Sequence, residues 1–142
     1  MSYKTTVNII REAVNTVNTD GSFIHGRRID ASQNYDGMFP MVVLYPFQIS
    51  KAIEPNFIDS SSLLMGFFMQ DKPDSSMEER EELVSLMDNL SDAFINLLEG
   101  NDLVRVTGLV KEPQYQVYSG TMSGFAIRFT FYDFTPCEDD DL

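Results

Sequence analysis

Apolar residues near the start of the chain recur at the spacing of an amphipathic helix. They are separated by four, three, four and three positions, so they fall on one face of a helix over residues 3–18. Asp20-Gly21 then marks a turn. We expect this face to pack against the core. The stripe consists of Tyr3, Val7, Ile10, Val14 and Val17.

A second helix is predicted in the acidic middle of the chain. Ser75 and Ser76 each have a glutamate three residues further on, which is the capping-box pattern of a helix N-terminus. The helix is expected to run to about Glu99, because Gly100 is a typical stop. We expect its buried face to be the stripe Leu83, Leu86, Leu90, Phe94 and Leu97, widened by Met87 and Leu98.

Several segments carry patterns typical of β-strands. The first alternates poorly, which favours an edge strand or an extended arm, and Pro46 in the second argues for an edge or a break. The last is the clearest, since aromatic and aliphatic residues occupy every second position from Phe125 to Phe131. Gly120 and Gly124 suit a hairpin turn. The predicted strands cover residues 22–30, 41–49, 61–70, 103–111 and 125–132, with 115–118 as a further short candidate.

This order of elements predicts an α+β fold. Strands follow one another in groups, which favours an antiparallel or mixed sheet with two helices packed on one face. No linker divides residues 1–136, which we interpret as a single α+β domain. We expect residues 137–142 to form an acidic tail without fixed structure.

The composition is that of a globular chain with no need of a cofactor. It has 142 residues, of which 43% are hydrophobic and 23% charged. One Cys and one His exclude a disulfide framework and any Cys-rich or His-rich metal site. No targeting segment and no stretch able to span a membrane is predicted.

The net charge of −12 is unevenly spread. Residues 1–57 hold five basic and five acidic side chains, whereas residues 58–142 hold five and seventeen. Such a chain is not expected to bind nucleic acid, because that affinity comes from cations on phosphates. The acidic stretches are interpreted as a solvated helix face and a frayed end. The alternative is a surface that repels its own copies until a basic partner or divalent cation arrives.

The sequence offers no catalytic or metal-binding constellation. His25 lacks a recognised spacing to a carboxylate and a nucleophile, so we interpret it as a partly exposed structural residue. Residues 30–37 superficially resemble a calcium loop, but Tyr35 and Met41 stand where glycine and glutamate are required. Cys137 has acidic neighbours and no predictable base, which argues against a nucleophile. The chain is therefore not expected to be an enzyme.

In size and element order, residues 1 to about 135 resemble the tail terminator and tail-to-head joining proteins of tailed bacteriophages. The resemblance follows the order helix, irregular strand with loop, strand pair, amphipathic helix and closing hairpin. The corresponding segments are Tyr3–Asn18, Phe23–Phe39, Met41–Ile49 with Leu63–Gln70, Met77–Glu99, and Leu103–Lys111 with Phe125–Phe134.

The resemblance implies a structural virion protein that forms a ring, often of six copies, at the end of a tail tube or in the neck. Its partners would be itself and other tail or neck proteins, in the virion and, during assembly, in the host cytoplasm. Phe23–Phe39 would be an arm that reaches a neighbour, and acidic residues lining a pore would let DNA slide. The candidate self-assembly contacts are Arg27, Arg28, Asn34, Tyr35 and Asp36.

Two other functions stay open at this stage. One is an acidic adaptor or inhibitor that binds a basic DNA-handling protein as a DNA mimic, working as a monomer or dimer. The other is a small enzyme whose site is built from Asp and Glu without a motif, which would need a carboxylate pair in one pocket.

Overall fold

The computed structural model describes residues 3–27, 38–51 and 59–134, where two long helices pack on one face of a six-stranded mixed sheet. The predicted α+β class and the placement of both helices on one face are confirmed. In chain order the elements are α1 (Tyr3–Val17), β1 (Ser22–His25), β2 (Met41–Leu44), β3 (Ile49–Lys51), β4 (Asp59–Gln70), α2 (Met77–Glu99), β5 (Val104–Gln116), the single turn α3 (Val117–Gly120) and β6 (Met122–Asp133).

The long strand β4 lies at the centre of the sheet. The strand order is β1-β2-β4-β6-β5, and β3 also pairs with β4. Only β1 and β2 are parallel among the described strands, and the other pairs are antiparallel. β1 is an outer strand, which confirms the edge expected for the poorly alternating segment. The break expected at Pro46 is also confirmed, because β2 ends at Leu44 and the chain rejoins β4 only at Ile49.

The main core lies between the sheet and the two helices. Phe94 of α2 packs against Phe67 of β4 and Phe129 of β6, with ring centroids 5.7 and 6.4 Å apart. Ile10 and Val14 of α1 close the same core and are almost fully buried. Alternation along β4 and β6 brings their apolar side chains to this face, so burial of these residues drives the helices onto the sheet.

The predicted buried face of α2 is wrong, because the buried row includes Met87 and Leu98 in place of their predicted neighbours Leu86 and Leu97. Phe94 and the widening residues Met87 and Leu98 are buried, but Leu86 is 54% exposed and Leu97 is 40% exposed. The residues that face the sheet are Val84, Met87, Ser91, Phe94, Ile95 and Leu98. The apolar pattern did not predict this row, because a serine, Ser91, lies in the middle of it. The Ser91 hydroxyl can be buried because it donates to the Asp88 carbonyl 2.7 Å away within the helix.

A second, smaller core lies on the opposite face of the sheet. α3 lays Tyr118 over this face, where its ring meets Phe68 edge-on at 5.4 Å and its hydroxyl lies 2.6 Å from that of Tyr45. The buried residues beneath are Met41, Val43, Phe68 and Met122. β4 is therefore apolar on both faces near its end, which explains the unbroken apolar run in the sequence.

The turn before β6 differs from the prediction. β5 continues through the predicted short strand as far as Gln116, and β6 already begins at Met122, so Gly124 lies within a strand and not in a turn. A Cβ atom on Gly124 would stand 1.8 Å from the Phe67 carbonyl oxygen, so only glycine fits there. Gly108, with φ of 66°, forms the bulge that shifts the register of β5 against β6.

Candidate self-assembly surfaces

The predicted reaching arm leaves the sheet at its outer strand. Arg27, the first candidate contact, is exposed and follows β1 by two residues. The other four candidates, Arg28, Asn34, Tyr35 and Asp36, lie outside the described residues. The structure therefore places one of the five at the sheet edge and does not test whether the set comes together.

Both ends of this arm are fixed to the sheet. Gly26 donates its N–H to the Leu44 carbonyl at 3.1 Å, and Ser22 donates its N–H to the Pro40 carbonyl at 3.0 Å. The Asn18 side chain donates to the same Pro40 carbonyl at 2.9 Å. The arm therefore begins and ends on anchored backbone.

His25 joins β1, β2 and the start of α1. Its Nδ1 lies 2.8 Å from the Leu44 carbonyl oxygen, which can only accept, so Nδ1 carries the hydrogen. Its Nε2 lies 2.8 Å from the Tyr3 hydroxyl, within hydrogen-bonding distance. Tyr3 also stacks on Phe47 at 4.3 Å. His25 is partly exposed, as predicted, and its contacts agree with the predicted structural role.

β5 forms the other edge of the sheet. It is 13 residues long and pairs only with β6 among the described strands, so its outer backbone edge is unpaired there. Leu109, Val110 and Tyr115 are exposed large apolar residues on this strand. A long edge strand of this kind is a template for pairing with another chain, and the bulge at Gly108 limits how much of it is straight.

Among residues 3–27, 38–51 and 59–134, the surface opposite the helices is covered only at one end, by α3. The remainder, which we call the open sheet face, consists of β4, β5 and β6 side chains that point away from the helices. Val110 is 62% exposed there, and Arg105 and Arg128 are exposed without a hydrogen bond or ion pair to any described residue. The open sheet face is defined by Leu64, Arg105, Val110, Glu112, Ala126 and Arg128.

The opposite side of the molecule is strongly acidic. α2 carries seven acidic residues and one basic residue, Arg80, which turns back to the Ser75 carbonyl at 2.7 Å. The surface of α2 that points away from the sheet, which we call the acidic helix face, consists of exposed residues. It is defined by Glu78, Glu82, Ser85, Leu86 and Asn89.

Lys111 ties the edge strand β5 to α2. Its ammonium donates to Asp88 and, at 2.6 Å, to Asp92, and it lies 5.3 Å from the centre of the Phe125 ring. Burial lowers the pKa of Lys111, but the hydrogen bonds and charges of the two aspartates outweigh it and raise the pKa above its ordinary value of 10.5. Part of the acidic charge of α2 is thus neutralised on the β5 side.

A buried carboxylate fixes the junction of β4, α2 and β6. Asp71 is 6% exposed and accepts hydrogen bonds from the Ser123 hydroxyl at 2.6 Å and the Lys72 N–H at 2.7 Å, with Arg80 3.6 Å away. Burial raises the pKa of Asp71, but hydrogen bonds from Ser123, Ser75 and Lys72 and the Arg80 charge lower it below 3.8. Every contact is internal, so this carboxylate stabilises the fold.

The cavities of the described residues do not assemble reactive groups. One of them, about 500 Å³, is an open groove at the end of α2 that is lined by Glu99, Asp102 and Arg105. Within residues 3–27, 38–51 and 59–134 there is no cluster of three His, Cys, Asp or Glu able to hold a metal ion. No helix in the same ranges is long and apolar enough to cross a bilayer.

The fold places the chain in the class of α+β proteins with a mixed sheet and helices on one face. Neither a protein-family model nor a curated protein sequence matches the chain.

Two features of these surfaces were not predicted from the sequence. The alternation around Phe129 already placed Arg128 opposite the core, but nothing in the sequence indicated that Arg128 is exposed on that side of the sheet. The Asp71 network was missed because its partners come from segments up to 52 residues apart.

Proposed function

We propose that this chain is a structural protein of a tailed-phage virion that forms an oligomeric ring at the tail end or neck, as a tail terminator or head-tail joining protein. The observation that carries the proposal is the sheet with two outer strands, β1 and β5. One bears the anchored base of the arm, and the other offers a long unpaired edge. Opposite edges on one subunit suit the head-to-tail contacts from which rings are built.

The direct test is the mass in solution by light scattering, across protein concentration and Mg²⁺, with negative-stain images of the eluted species. A closed ring of several copies supports the proposal. A chain that stays monomeric throughout and captures basic DNA-handling proteins contradicts it.

The arm gives a residue-level prediction. Reversing Arg27 and Arg28 to glutamate is expected to abolish self-association. In the proposed contact the two arginines meet acidic groups on a neighbour, and glutamates in their place would be repelled by those groups. Light scattering of R27E/R28E checks this against K4E, which reverses an exposed cation on α1. Assembly of R27E/R28E equal to that of the wild type would remove the arm from the proposal.

The second candidate is an acidic adaptor that binds a basic DNA-handling protein as a DNA mimic. The acidic helix face favours it, because α2 presents carboxylates along one exposed side. Competition between the chain and duplex DNA for a basic protein, with stoichiometry, separates the two functions. A mimic binds as a monomer or dimer and is displaced by DNA.

A further inference from the structure

The two charged surfaces lie on opposite sides of the molecule and carry opposite signs. The acidic helix face has Glu78 and Glu82, and the open sheet face has Arg105 and Arg128 against the single Glu112. None of these five side chains makes a hydrogen bond or ion pair with a described residue. One copy of the chain therefore holds both halves of a complementary contact that it cannot make with itself.

The apolar residues on these surfaces are complementary as well. Leu86 is exposed beside Glu82 on α2, and Val110 is exposed opposite Arg128 in the β5–β6 register. Val110, Leu64, Ala126 and Arg128 line a hollow of about 70 Å³. Exposed apolar residues of this kind, rimmed by charge, are typical of interaction surfaces.

The spacings on the two surfaces agree. Four residues along a helix advance about 6 Å, which separates Glu82 from Leu86. Neighbouring strands lie about 5 Å apart, which separates Arg128 from Val110. A helix laid on the open sheet face with Leu86 over Val110 therefore brings Glu82 to Arg128.

We propose that the acidic helix face of one copy packs on the open sheet face of the next copy. This interface rests on the proposed ring function and names the contact between neighbouring copies. Different surfaces meet on the two sides, so the contact is head-to-tail and repeats until a ring closes. It is separate from the arm and from pairing of strand edges.

Charge reversal on each surface, followed by mixing, tests the interface. E82K and R128E are each expected to lose assembly by light scattering, because like charges then meet. An equimolar mixture is expected to recover it, since the reversed helix of one variant meets the reversed sheet of the other. Recovery also shows that both variants are folded. The control E12K/K4E reverses exposed charges on α1 at unchanged net charge and is expected to assemble normally.

Cross-linking gives a second readout. In a C137S background, L86C/V110C is expected to give a ladder of disulfide-linked oligomers under mild oxidation. L86C alone and V110C alone are expected to give none, because each cysteine meets a different surface.

Each remaining outcome overturns the interface. If both reversed variants assemble like the wild type, the interface is wrong while the ring function stands. If the mixture fails to recover assembly, or the double-cysteine variant forms no ladder, these two surfaces do not meet. If the wild type never assembles, the proposed interface is wrong. If that monomeric chain also captures basic DNA-handling proteins, the proposed ring function is wrong as well.

Discussion

At the scale of single residues, the polar interior depends most on Asp71. It directly follows β4, lies 3.6 Å from Arg80 in the first turn of α2 and accepts a hydrogen bond from Ser123 of β6. Ser123 in turn accepts the Gln116 N–H at 2.9 Å, where the backbone has a φ of 47°. One carboxylate thus supports the positive-φ backbone that positions α3 over the sheet.

Replacing Asp71 by asparagine is expected to reduce the free energy of unfolding by about 2 kcal/mol, because charge-assisted hydrogen bonds to a buried group are lost. The folded pKa lies below the ordinary 3.8, so this contribution is complete above that value and disappears as pH falls through the folded pKa. Urea unfolding of the wild type and D71N at pH 7 and at lower pH measures it. D74N, at an exposed carboxylate, is the control. A stability gap that does not narrow in acid contradicts this assignment.

Gly124 gives the second residue-scale prediction. An added Cβ would meet the Phe67 backbone, which cannot move without separating β4 from β6. G124A is expected to lower the free energy of unfolding by about 3 kcal/mol or more, which is the upper range for overpacking. G100A is the control, because the nearest atom to its new Cβ is 3.4 Å away. Its free energy of unfolding is expected to change by no more than about 0.5 kcal/mol. Thermal unfolding compares the two, and equal losses would refute the close-approach argument.

At the scale of elements, β5 is an outer strand with an ionic link to α2 through Lys111. It pairs on one side only among the described strands, and most of its side chains are exposed. Lys111 supplies its ion pairs to α2. The edge proposed for assembly is therefore held to the helix layer by this ammonium group together with Val104 and Val106, which pack in the main core.

K111M is expected to destabilise the chain by about 1 kcal/mol, since both aspartates are substantially exposed and the pairs are screened by solvent. Because the pKa of Lys111 is raised in the folded chain, its contribution to the free energy of unfolding is complete below pH 10.5. This contribution is lost as the pH rises through the folded pKa. Hydrogen exchange of β5 amides should accelerate relative to β4 amides. K4M, at an exposed lysine of α1, should leave both unchanged. Unaltered exchange in K111M would show that β5 does not rely on this contact.

At the scale of the whole molecule, the charge distribution affects both folding stability and self-association. The excess of acidic residues lies in the second half of the sequence, and the fold gathers much of it on α2 while leaving two arginines on the opposite surface. A net charge of −12 opposes compaction and self-association at low salt.

The melting temperature is therefore expected to rise by several degrees when NaCl is increased from about 0.01 to 0.1 M, as the Debye length falls from about 30 to 10 Å. Calorimetry on dilute, monomeric chain measures the change. E78Q/E79Q/E81Q/E82Q should show a smaller rise, because it removes four of the repelling charges. A melting temperature that falls with salt would mean that the attractive pairs outweigh the repulsion.

Both long helices and most strands can be predicted from the sequence alone, because local periodicity and capping act within a few residues. The helix at Tyr3–Val17, the Ser76 cap, the break at Pro46 and the edge character of β1 all follow from neighbours in the chain. The tertiary structure decided which side of α2 is buried, since Leu86 and Met87 are equally apolar and only the position of the sheet chooses between them. It also decided that α3 covers one end of the sheet and leaves Arg128 exposed at the other, because that depends on contacts between segments distant in sequence.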